Sequence, residues 1–507
     1  MNIDGSVSSQ LLAQKPKMVF SAEQAIAGEV LVKFHESTIE TIESATSLLT
    51  EGRVVTGIET FDAFCQTVGA YNMTRVFPDA GRFEARQRKA GLHLWYKVAF
   101  DEGVSMSKVG EMLSNCKELA VVEFNMPISL PDVKMVEADM AVAVEQIMAD
   151  EELPFNDPRL VEQWHYQNRG TDWKKANGTA YIRGAVKGAD VNVVPAWEKC
   201  TGSDKVIVAI VDGIVDYDHE DLIANMWWNE AEKNGEDGVD DDDNGYVDDV
   251  FGYYFFKDNP NGSNIGKTGG FKAMKDALHT ANEGANHGTH VAGTISAVNN
   301  NNIGVSGIAG GSSNNGGVKL MSCATMGEEG GGRGADYAAR AITYACNNGA
   351  VICNNSWGYT DANINWNQSQ FSALKEAMQY FVDYAGMDES GEVQVGPMAG
   401  GLLLFAAGNE GYYQNDVKKY PAADDKAIAV ASIAADYRPS YYTNYGTWVD
   451  VSAPGGDPFF SDLDNPYAQK YIELISTPDT GTGVEGHHIV PVAFYKYVLG
   501  CEKTRLV

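Results

Sequence analysis

Three apolar runs with the composition of buried β-strands most constrain the fold of this chain. They lie at residues 205–211 (KVIVAIV), 400–408 (GGLLLFAAG) and 426–433 (KAIAVASI), and helix-like stretches and Gly-rich loops separate them. Strands that are apolar along their whole length are typical of parallel sheets that helices cover on both faces. The sequence therefore predicts an α/β unit, a doubly wound parallel sheet with helices on both faces, within residues 154–507.

A different pattern precedes this unit. Between residues 20 and 131, stretches of strand type (VLVKF, LHLWYKVAF, LAVVEF) alternate with stretches of helix type (TIETIESATSLL, VSMSKVGEML). In LHLWYKVAF, apolar residues recur at every second position from Leu92 to Phe100, as in a half-buried strand. We predict a small α+β domain over residues 20–131. Residues 132–153 are acidic and Met-rich, which we interpret as an exposed connector.

The charge of the chain limits its partners. Lys and Arg total 38 against 69 Asp and Glu, a formal net charge of -31, so the long-range field repels phosphate and argues against nucleic acid. We find no apolar run long enough for a transmembrane segment and no signal peptide at the start of this sequence. We therefore expect either a cytosolic protein or one whose export signal lies outside these residues.

Reactive residue types stand where strands of the predicted sheet end. Asp212 directly follows the first apolar run, Asn409 follows the second through a glycine, and His287 opens the small-residue stretch HGTHVAG. In doubly wound sheets, sites form at the carboxyl ends of the strands. Taken singly, each residue has a plainer interpretation, as a helix cap, a structural histidine or a turn asparagine. Together they predict one site.

These motifs and their order resemble those of the subtilisin-like serine proteases, the subtilases. The resemblance implies that Asp212 orients an imidazole, that His287 is the general base and later the general acid, and that Asn409 completes an oxyanion hole. The implied function is hydrolysis of peptide bonds by a serine endopeptidase.

The same resemblance implies how a substrate is held. Ser356, Trp357 and Gly358, within VICNNSWGY, match the family strand whose backbone pairs with an extended peptide or protein substrate. The α+β domain over residues 20–131 resembles a subtilase propeptide, which implies an intramolecular inhibitor and folding template, although an unrelated binding domain is the alternative. Family resemblance also implies an exported protein, in the extracellular space, the periplasm or the cell envelope.

One residue of the aspartate motif departs from the family pattern. Subtilases have Asp-x-Gly where this chain reads Asp212-Gly213-Ile214. If that position requires positive φ or a close backbone approach, a β-branched residue would strain the loop. We therefore expect Asp212 to be slightly misplaced.

The acidic segment NGEDGVDDDDNGYVDD is a separate signal. Asp240, Asp242, Asn244 and Asp248 alternate around Gly245, so that their oxygen atoms can converge on a hard cation. The segment resembles the calcium loops inserted in many subtilases. A solvated acidic turn is the alternative, but carboxylates so close together repel each other unless a cation neutralises them. We predict calcium as the bound cation.

The nucleophile of the family is missing from this sequence. Where subtilases have GTSMA, this chain reads GTGVEGHH over residues 481–488, with Gly483 at the position of the serine, and no serine follows Ser476. Pro491 would interrupt the buried helix that the serine normally begins, and we expect the tail to be too short for the two closing helices of the family. The chain as written is therefore predicted to be inactive.

Two explanations of this loss compete. One is a noncatalytic, peptide-binding homologue, a pseudoprotease. The other is a reading-frame change that replaced the end of a protease, and we favour it because the motifs hold up to Pro478 and then fail at once. A calcium-dependent structural or adhesive protein is a third possibility, which HGTH and AAGNEG weaken because calcium binding requires neither.

Overall fold

The computed structural model describes most of the chain between residues 15 and 456. The described ranges are 15–44, 49–50, 52–130, 153–170, 173–174, 180–182, 185–255, 286–312, 315–326, 333–359, 372–411 and 417–456. The connector up to residue 152 and the segment with Gly483 and Pro491 lie outside these ranges.

The N-terminal unit is a small α+β fold. Its strands are β1 (Lys17–Val19), β2 (Glu29–Phe34), β3 (Leu49–Thr50), β4 (Arg53–Val54), β5 (Asn72–Arg75), β6 (Trp95–Ala99) and β7 (Leu119–Glu123). Its helices are α1 (Glu36–Glu43), α2 (Glu59–Val68), α3 (Glu84–Lys89) and α4 (Met106–Leu113). Five of the strands form one sheet in the order β1-β7-β2-β6-β5.

Most of the strand and helix stretches predicted in this unit are confirmed, with two exceptions. The stretch TIETIESATSLL is helical only up to Glu43, its last residue Leu49 belongs to β3, and residues 45–48 lie outside the described residues. Leu92–Leu94 forms a 3-10 turn before β6, and the strand begins only at Trp95. Leu92 and Leu94 are both buried, so their alternation reflects packing against the core and not an extended backbone. The helix α2 and the strand β5 were not predicted.

Apart from β8 (Pro127–Ser129), the last strand of the N-terminal unit, the remaining strands and α-helices belong to the larger unit. Its short pairing strands are β9 (Trp173–Lys174), β10 (Ala180–Ile182), β13 (Gly311–Ser312), β14 (Asn315–Gly316), β16 (Arg333–Gly334) and β18 (Gly358–Tyr359). Its main-sheet strands are β11 (Ile207–Asp212), β12 (Gly252–Tyr254), β15 (Lys319–Ala324), β17 (Ile352–Asn355), β19 (Leu402–Ala406), β20 (Ala427–Ile433) and β21 (Val451–Pro454). Its α-helices are α5 (Val194–Trp197), α6 (Glu230–Asn234), α7 (Asn286–Ser296), α8 (Ala335–Asn347) and α9 (Ala373–Tyr384).

The main sheet is parallel and covered on both faces, as predicted. Its strand order is β12-β15-β11-β17-β19-β20-β21, and every neighbouring pair is parallel. Alternate residues of the central strand β11 enter two cores: Ala209 and Val211 pack with Ala338 of α8, while Ile210 packs with Ala292 of α7. The three apolar runs are therefore strands because helices bury them from both sides.

The N-terminal sheet packs on α8 and α9 of the larger unit. One continuous apolar core contains residues of β2 and β6 together with residues of both helices. Charged groups join the same surfaces: Lys33 Nζ lies 2.7 Å from Glu376 Oε1, and Lys97 Nζ lies 2.9 Å from Asp336 Oδ2. A further carboxylate, Glu123 at the end of β7, accepts a hydrogen bond from the first backbone N–H of α9 at 2.8 Å.

Glu123 is expected to make the stability of the protein depend on pH. Its side chain is buried, and burial raises its pKa to about 8, with Glu376 and Asp336 adding to the shift. The folded state then keeps a proton that the unfolded chain loses at lower pH, so the free energy of unfolding falls as pH rises toward 8, by up to about 1.4 kcal/mol per pH unit. Glu123→Gln should remove this part of the slope in urea unfolding followed across that range. Equal slopes in the parent and the variant would contradict the prediction.

Candidate active site

Four neighbouring strands of the main sheet, β15, β11, β17 and β19, end at the same edge. Their parallel registers pair Asp212 with Ala324 across β11 and β15, and Asn355 with Phe405 across β17 and β19. Residues that follow the ends of these strands therefore come close together, which is the arrangement that the sequence predicted for its reactive residue types.

Asp212 is the last residue of β11 and is fully buried. Its Oδ1 atom lies 2.6 Å from Nδ1 of His287 and also accepts a hydrogen bond from the backbone N–H of Gly213 at 2.6 Å. Burial raises the pKa of this carboxyl group, while the contact with His287 opposes the shift. A buried carboxylate is unfavourable unless a cation neutralises its charge. A protonated imidazole at this position would supply that positive charge.

His287 is the second residue of α7, and its imidazole is partly exposed, with 20% of the side chain accessible. Two contacts fix the start of α7 against the loop after β11. Gly288 leaves no room for a side chain, because a Cβ atom there would lie 2.4 Å from the carbonyl oxygen of Gly213. Thr289 Oγ1 accepts a hydrogen bond from the backbone N–H of Asp216 at 2.9 Å. These contacts set the distance between Asp212 and His287.

The expected strain at Ile214 is not present. Ile214 is not among the described non-glycine residues with positive φ, and its side chain is buried in an apolar cluster with Tyr217 and Phe251. Asp212 meets His287 at hydrogen-bond distance, so the prediction of a misplaced carboxylate was wrong. The physical reason is that this loop uses the β-branched side chain to extend the core.

Asn409 lies three residues beyond β19, in the turn that begins at Gly408. Gly408 has φ +98, a left-handed conformation that disfavours a side chain, and a Cβ atom there would lie 2.5 Å from Asn444 Nδ2. Asn409 itself is half-buried at the same edge of the sheet as Asp212.

A strand from the N-terminal unit occupies the cleft beside this edge. β8 pairs antiparallel with β18 through Ser129 and Gly358, and on its other side antiparallel with β16 through Pro127 and Gly334. An extended segment thus lies between two strands of the larger unit as the middle strand of a small sheet. The strand β16 was not predicted from the sequence, because only two residues form it.

The predicted substrate-binding residues lie along this cleft. Gly358 is in β18, Trp357 is buried with its ring 5.3 Å from that of Phe405, and Ser356 Oγ accepts a hydrogen bond from Asn354 Nδ2 at 3.0 Å. A pocket opens beside them, and its lining includes Ser129, Gly358, Ala406, Gly408, Glu410 and Lys419. Lys419 forms an ion pair with Glu410 in its wall.

The acidic loop gathers carboxylates, although not the full predicted set. Oxygen atoms of Glu232, Asp240 and Asp242 all lie within 4.8 Å of one another. The side chain of Asp242 is 9% exposed, and its Oδ1 atom is buried without a hydrogen-bond partner. Glu232 was missed because it lies in α6, before the loop, where no motif marks it.

Two residues of the predicted set lie outside this cluster of three carboxylates. Asn244 is fully buried: its amide donates to Asp249 and its Oδ1 accepts from the backbone N–H of Tyr246 at 2.7 Å. Asp248 Oδ1 accepts from the backbone N–H of Gly238 at 2.9 Å. The structure therefore brings Asp240 and Asp242 together with Glu232, and it directs Asn244 into the core.

Comparison with known families agrees with this geometry. The profile of the subtilase family matches residues 203–487, more than half of the chain. This chain belongs to the subtilase family. The profile described as the N-terminal part of the subtilase family matches residues 30–170, so the N-terminal unit corresponds to a propeptide.

Individual relatives of this subtilase are extracellular proteases by name. It is 30% identical over 325 residues to an extracellular protease of Xanthomonas campestris, an alignment that covers 62% of this chain and 44% of that protein. It is 30% identical over 267 residues to the halolysin-like extracellular serine protease Nep of Natrialba magadii, covering 53% of this chain and 37% of that protein. The subtilase thus spans less than half the length of these relatives.

Among solved structures, fervidolysin from Fervidobacterium pennivorans, a keratinolytic enzyme related to subtilisin, is similar with a TM-score of 0.45 and 18% identity. The match covers 88% of this chain and 49% of that one. Among the described helices, none combines the length and the apolar composition that a membrane crossing requires.

Adding one methyl group at Gly288 should test how closely the start of α7 packs against the loop after β11. In Gly288→Ala the new Cβ atom would meet two backbone carbonyl oxygens, those of Gly213 and Ile214, at 2.4 and 2.8 Å. We expect the free energy of unfolding to fall by about 1–3 kcal/mol, as for other overpacked sites. Gly293→Ala in the same helix meets nothing within 4 Å, so it should be neutral or stabilising by up to about 1 kcal/mol. Urea unfolding of both variants checks this, and equal effects would contradict it.

Proposed function

We propose that this subtilase is the framework of a serine endopeptidase in which Asp212 orients His287, and His287 transfers protons to and from a nucleophile. The contact of 2.6 Å between Asp212 Oδ1 and His287 Nδ1, at the carboxyl edge of the sheet, carries the proposal. With Nδ1 held by the carboxylate, the other ring nitrogen is the one that serves a nucleophile. Asn409, at the same edge, is proposed to donate to the oxyanion.

We propose that the cleft between β16 and β18 binds the substrate as an extended peptide. The pairing of β8 in that cleft supports this, because β8 already makes the backbone contacts that a bound peptide strand would make. Ser356, Trp357 and Gly358 would then form one wall. The N-terminal unit, whose last strand fills the cleft, would act as an intramolecular inhibitor.

We propose that the chain as written does not complete the catalytic triad. The sequence has Gly483 at the position of the nucleophile, within a segment that lies outside the described residues. The favoured explanation is a changed reading frame at the end of a protease, and the alternative is a pseudoprotease that binds peptides without cleaving them. Sequencing the gene beyond the codon for Thr477 separates the two, because a GTSMA-like frame should be found only if the first is correct.

The 507-residue protein should neither cleave casein measurably nor react with a fluorophosphonate. A subtilase without a triad member retains only the ~10³–10⁴-fold catalysis over water that binding and the oxyanion hole provide. Gly483→Ser alone should not restore activity, because Glu485 and Pro491 remain in the segment that would have to form the buried helix. Replacing the residues after Pro478 with a family-type GTSMA segment and its closing helices should restore it.

Labelling of the unmodified chain is the result that would contradict this prediction. His287→Ala is the control: if labelling occurs and is lost in this variant, another hydroxyl group, such as that of Ser476, serves as the nucleophile. In the repaired chain, Asp212→Asn should lower kcat by about 10⁴-fold, as for the corresponding change in a triad protease, because it favours the wrong imidazole tautomer.

We propose calcium as a structural cofactor held by the acidic loop. The residues fit a hard cation, since three carboxylates converge and Asp242 Oδ1 is buried without a partner. Glu232, Asp240 and Asp242 are the side chains that would hold the ion. This differs from the set inferred from sequence alone by the addition of Glu232 and the omission of Asn244 and Asp248.

Calcium should raise the midpoint of thermal unfolding of the full chain, by an amount that grows with calcium in excess of its dissociation constant. Asp242→Asn removes one charge and replaces one carboxylate oxygen with an amide nitrogen, which does not bind a hard cation, so the response to calcium should be lost or greatly weakened. Asp237→Asn, an exposed position in the same segment, changes the net charge equally and should respond like the parent. An Asp242→Asn protein whose thermal midpoint responds to calcium as the parent does would contradict the proposal that this cluster binds calcium.

We further propose that the protein is exported. The names of two similar proteins, both extracellular proteases, support this. Detection of the protein in a cytosolic fraction only, in the cells that produce it, would contradict the proposal.

A further inference from the structure

Arg86 belongs to α3 of the N-terminal unit, yet its side chain is buried in the larger unit, with the residue 1% exposed. Its Nε donates to Tyr380 Oη and its Nη2 donates to Asn347 Oδ1, both at 2.7 Å. Its Nη1 donates to the carbonyl oxygens of Met387 at 3.2 Å and Asp388 at 2.6 Å. All three nitrogen atoms of the guanidinium therefore bond to groups of the larger unit.

The acceptors around this cation are all neutral. They are a phenol, a side-chain amide and two backbone carbonyls, and within the described part of the chain no ion pair involves Arg86. A buried cation without a counterion is costly unless other groups stabilise the charge. Here α8 ends at Asn347 and α9 ends at Tyr384, just before the two carbonyls, so the negative ends of two helix dipoles meet at the guanidinium.

Aromatic rings complete the pocket. The Cζ atom of Arg86 lies 4.8 Å from the ring centre of Phe83, 5.3 Å from that of Tyr380 and 5.6 Å from that of Tyr384. Planar guanidinium groups combine stacking on such rings with several in-plane hydrogen bonds, which a compact ammonium group cannot do at the same time. Tyr380 Oη also donates to Asn347 Oδ1 at 2.8 Å, so the two acceptors hold each other in place.

We propose that the groups contributed by α8, α9 and the segment after α9 form a guanidinium-binding pocket of the larger unit, and that an arginine side chain seated in it decides how long the N-terminal unit stays docked. Phe83 belongs to the N-terminal unit and is not part of this pocket. The pocket lies away from the cleft that β8 occupies, so it is a second attachment point, independent of substrate-like pairing. Its consequence for inhibition depends on the proposed inhibitory role of the N-terminal unit, but the binding itself does not.

Two partly exposed charged groups of the N-terminal unit are weaker candidates for the same role. Lys33 and Glu376 keep 17% and 23% of their side chains exposed, and ion pairs that water reaches contribute little. Arg88, two residues from Arg86, is 37% exposed and bonds to Glu43 and Glu84 of its own unit. It therefore provides a matched arginine that does not enter the larger unit.

The test uses the full chain with a recognition sequence for a specific protease inserted in the connector, residues 132–153. After cleavage at that site, the release of the N-terminal fragment is followed by size-exclusion chromatography over time. Arg86→Ala should release the fragment about 100-fold faster than the parent, because truncating one partner of a buried charged contact acts mainly on dissociation. Arg86→Lys should be at least about 10-fold faster than the parent. Arg88→Ala should stay within about threefold of the parent.

Chemical rescue tests the selectivity of the pocket. Ethylguanidinium at tens of millimolar should slow release from Arg86→Ala and leave Arg88→Ala unchanged, whereas ethylammonium at the same concentration should do neither. Equal effects of the two cations would mean that the pocket responds to charge alone, which would overturn the proposal. Release from Arg86→Ala at the rate of the parent would also overturn it.

A variant on the opposite surface keeps the proposal testable if Arg86→Ala does not fold. Tyr380→Phe removes one acceptor and retains the ring, and it should speed release by at least about 10-fold, the value of one hydrogen bond to a charged group. An unchanged release rate for this folded variant would count against the pocket. Release is measured without any assay of peptide cleavage, so a failure here leaves the proposed endopeptidase function untouched, and the reverse also holds.

Discussion

The parallel register of the main sheet is the constraint on which the rest of this structure depends. Because β11, β17 and β19 end at one edge, Asp212, Ser356 and Asn409 are brought together from positions nearly 200 residues apart in the chain. α7 then places His287 over Asp212, and Gly288 permits the close approach. The order of the strands therefore brings the site residues together, and the chemistry of their side chains then determines what the site can do.

Charge complementarity accompanies the apolar contact between the two units. Ion pairs across it include Lys33–Glu376, Lys97–Asp336 and Arg82–Asp242, and in each the cation comes from the N-terminal unit. In a chain with a net charge of -31, this distribution gives the N-terminal unit a surface that fits an acidic partner. The Arg82 contact also ties the N-terminal unit to the proposed calcium loop, since Asp242 accepts from the guanidinium through Oδ2, while its Oδ1 is buried without a hydrogen-bond partner.

Sequence analysis predicted the elements that a local residue pattern indicates. It missed the features that depend on the direction in which a side chain points. The three apolar runs are strands and HGTHVAG starts a helix, because burial on two faces and small residues leave a strong periodic signal. Composition could not reveal that Asn244 points into the core or that Glu232 joins the acidic cluster from a separate helix. It likewise could not reveal that Arg86, in the charged stretch EARQRK, is buried.

The geometry of Asp212 and His287 does not by itself imply an active protease. The contacts that fix this pair come from β11, from the start of α7 and from the loop after β11, and none of these described contacts uses the segment where a nucleophile would stand. A chain can thus lose its serine and keep the pair, the cleft and the docked N-terminal strand. The proposed peptide binding and the proposed peptide cleavage would therefore be separable, since the first would depend on the sheet edge and the second on a segment that the contacts at this edge do not require.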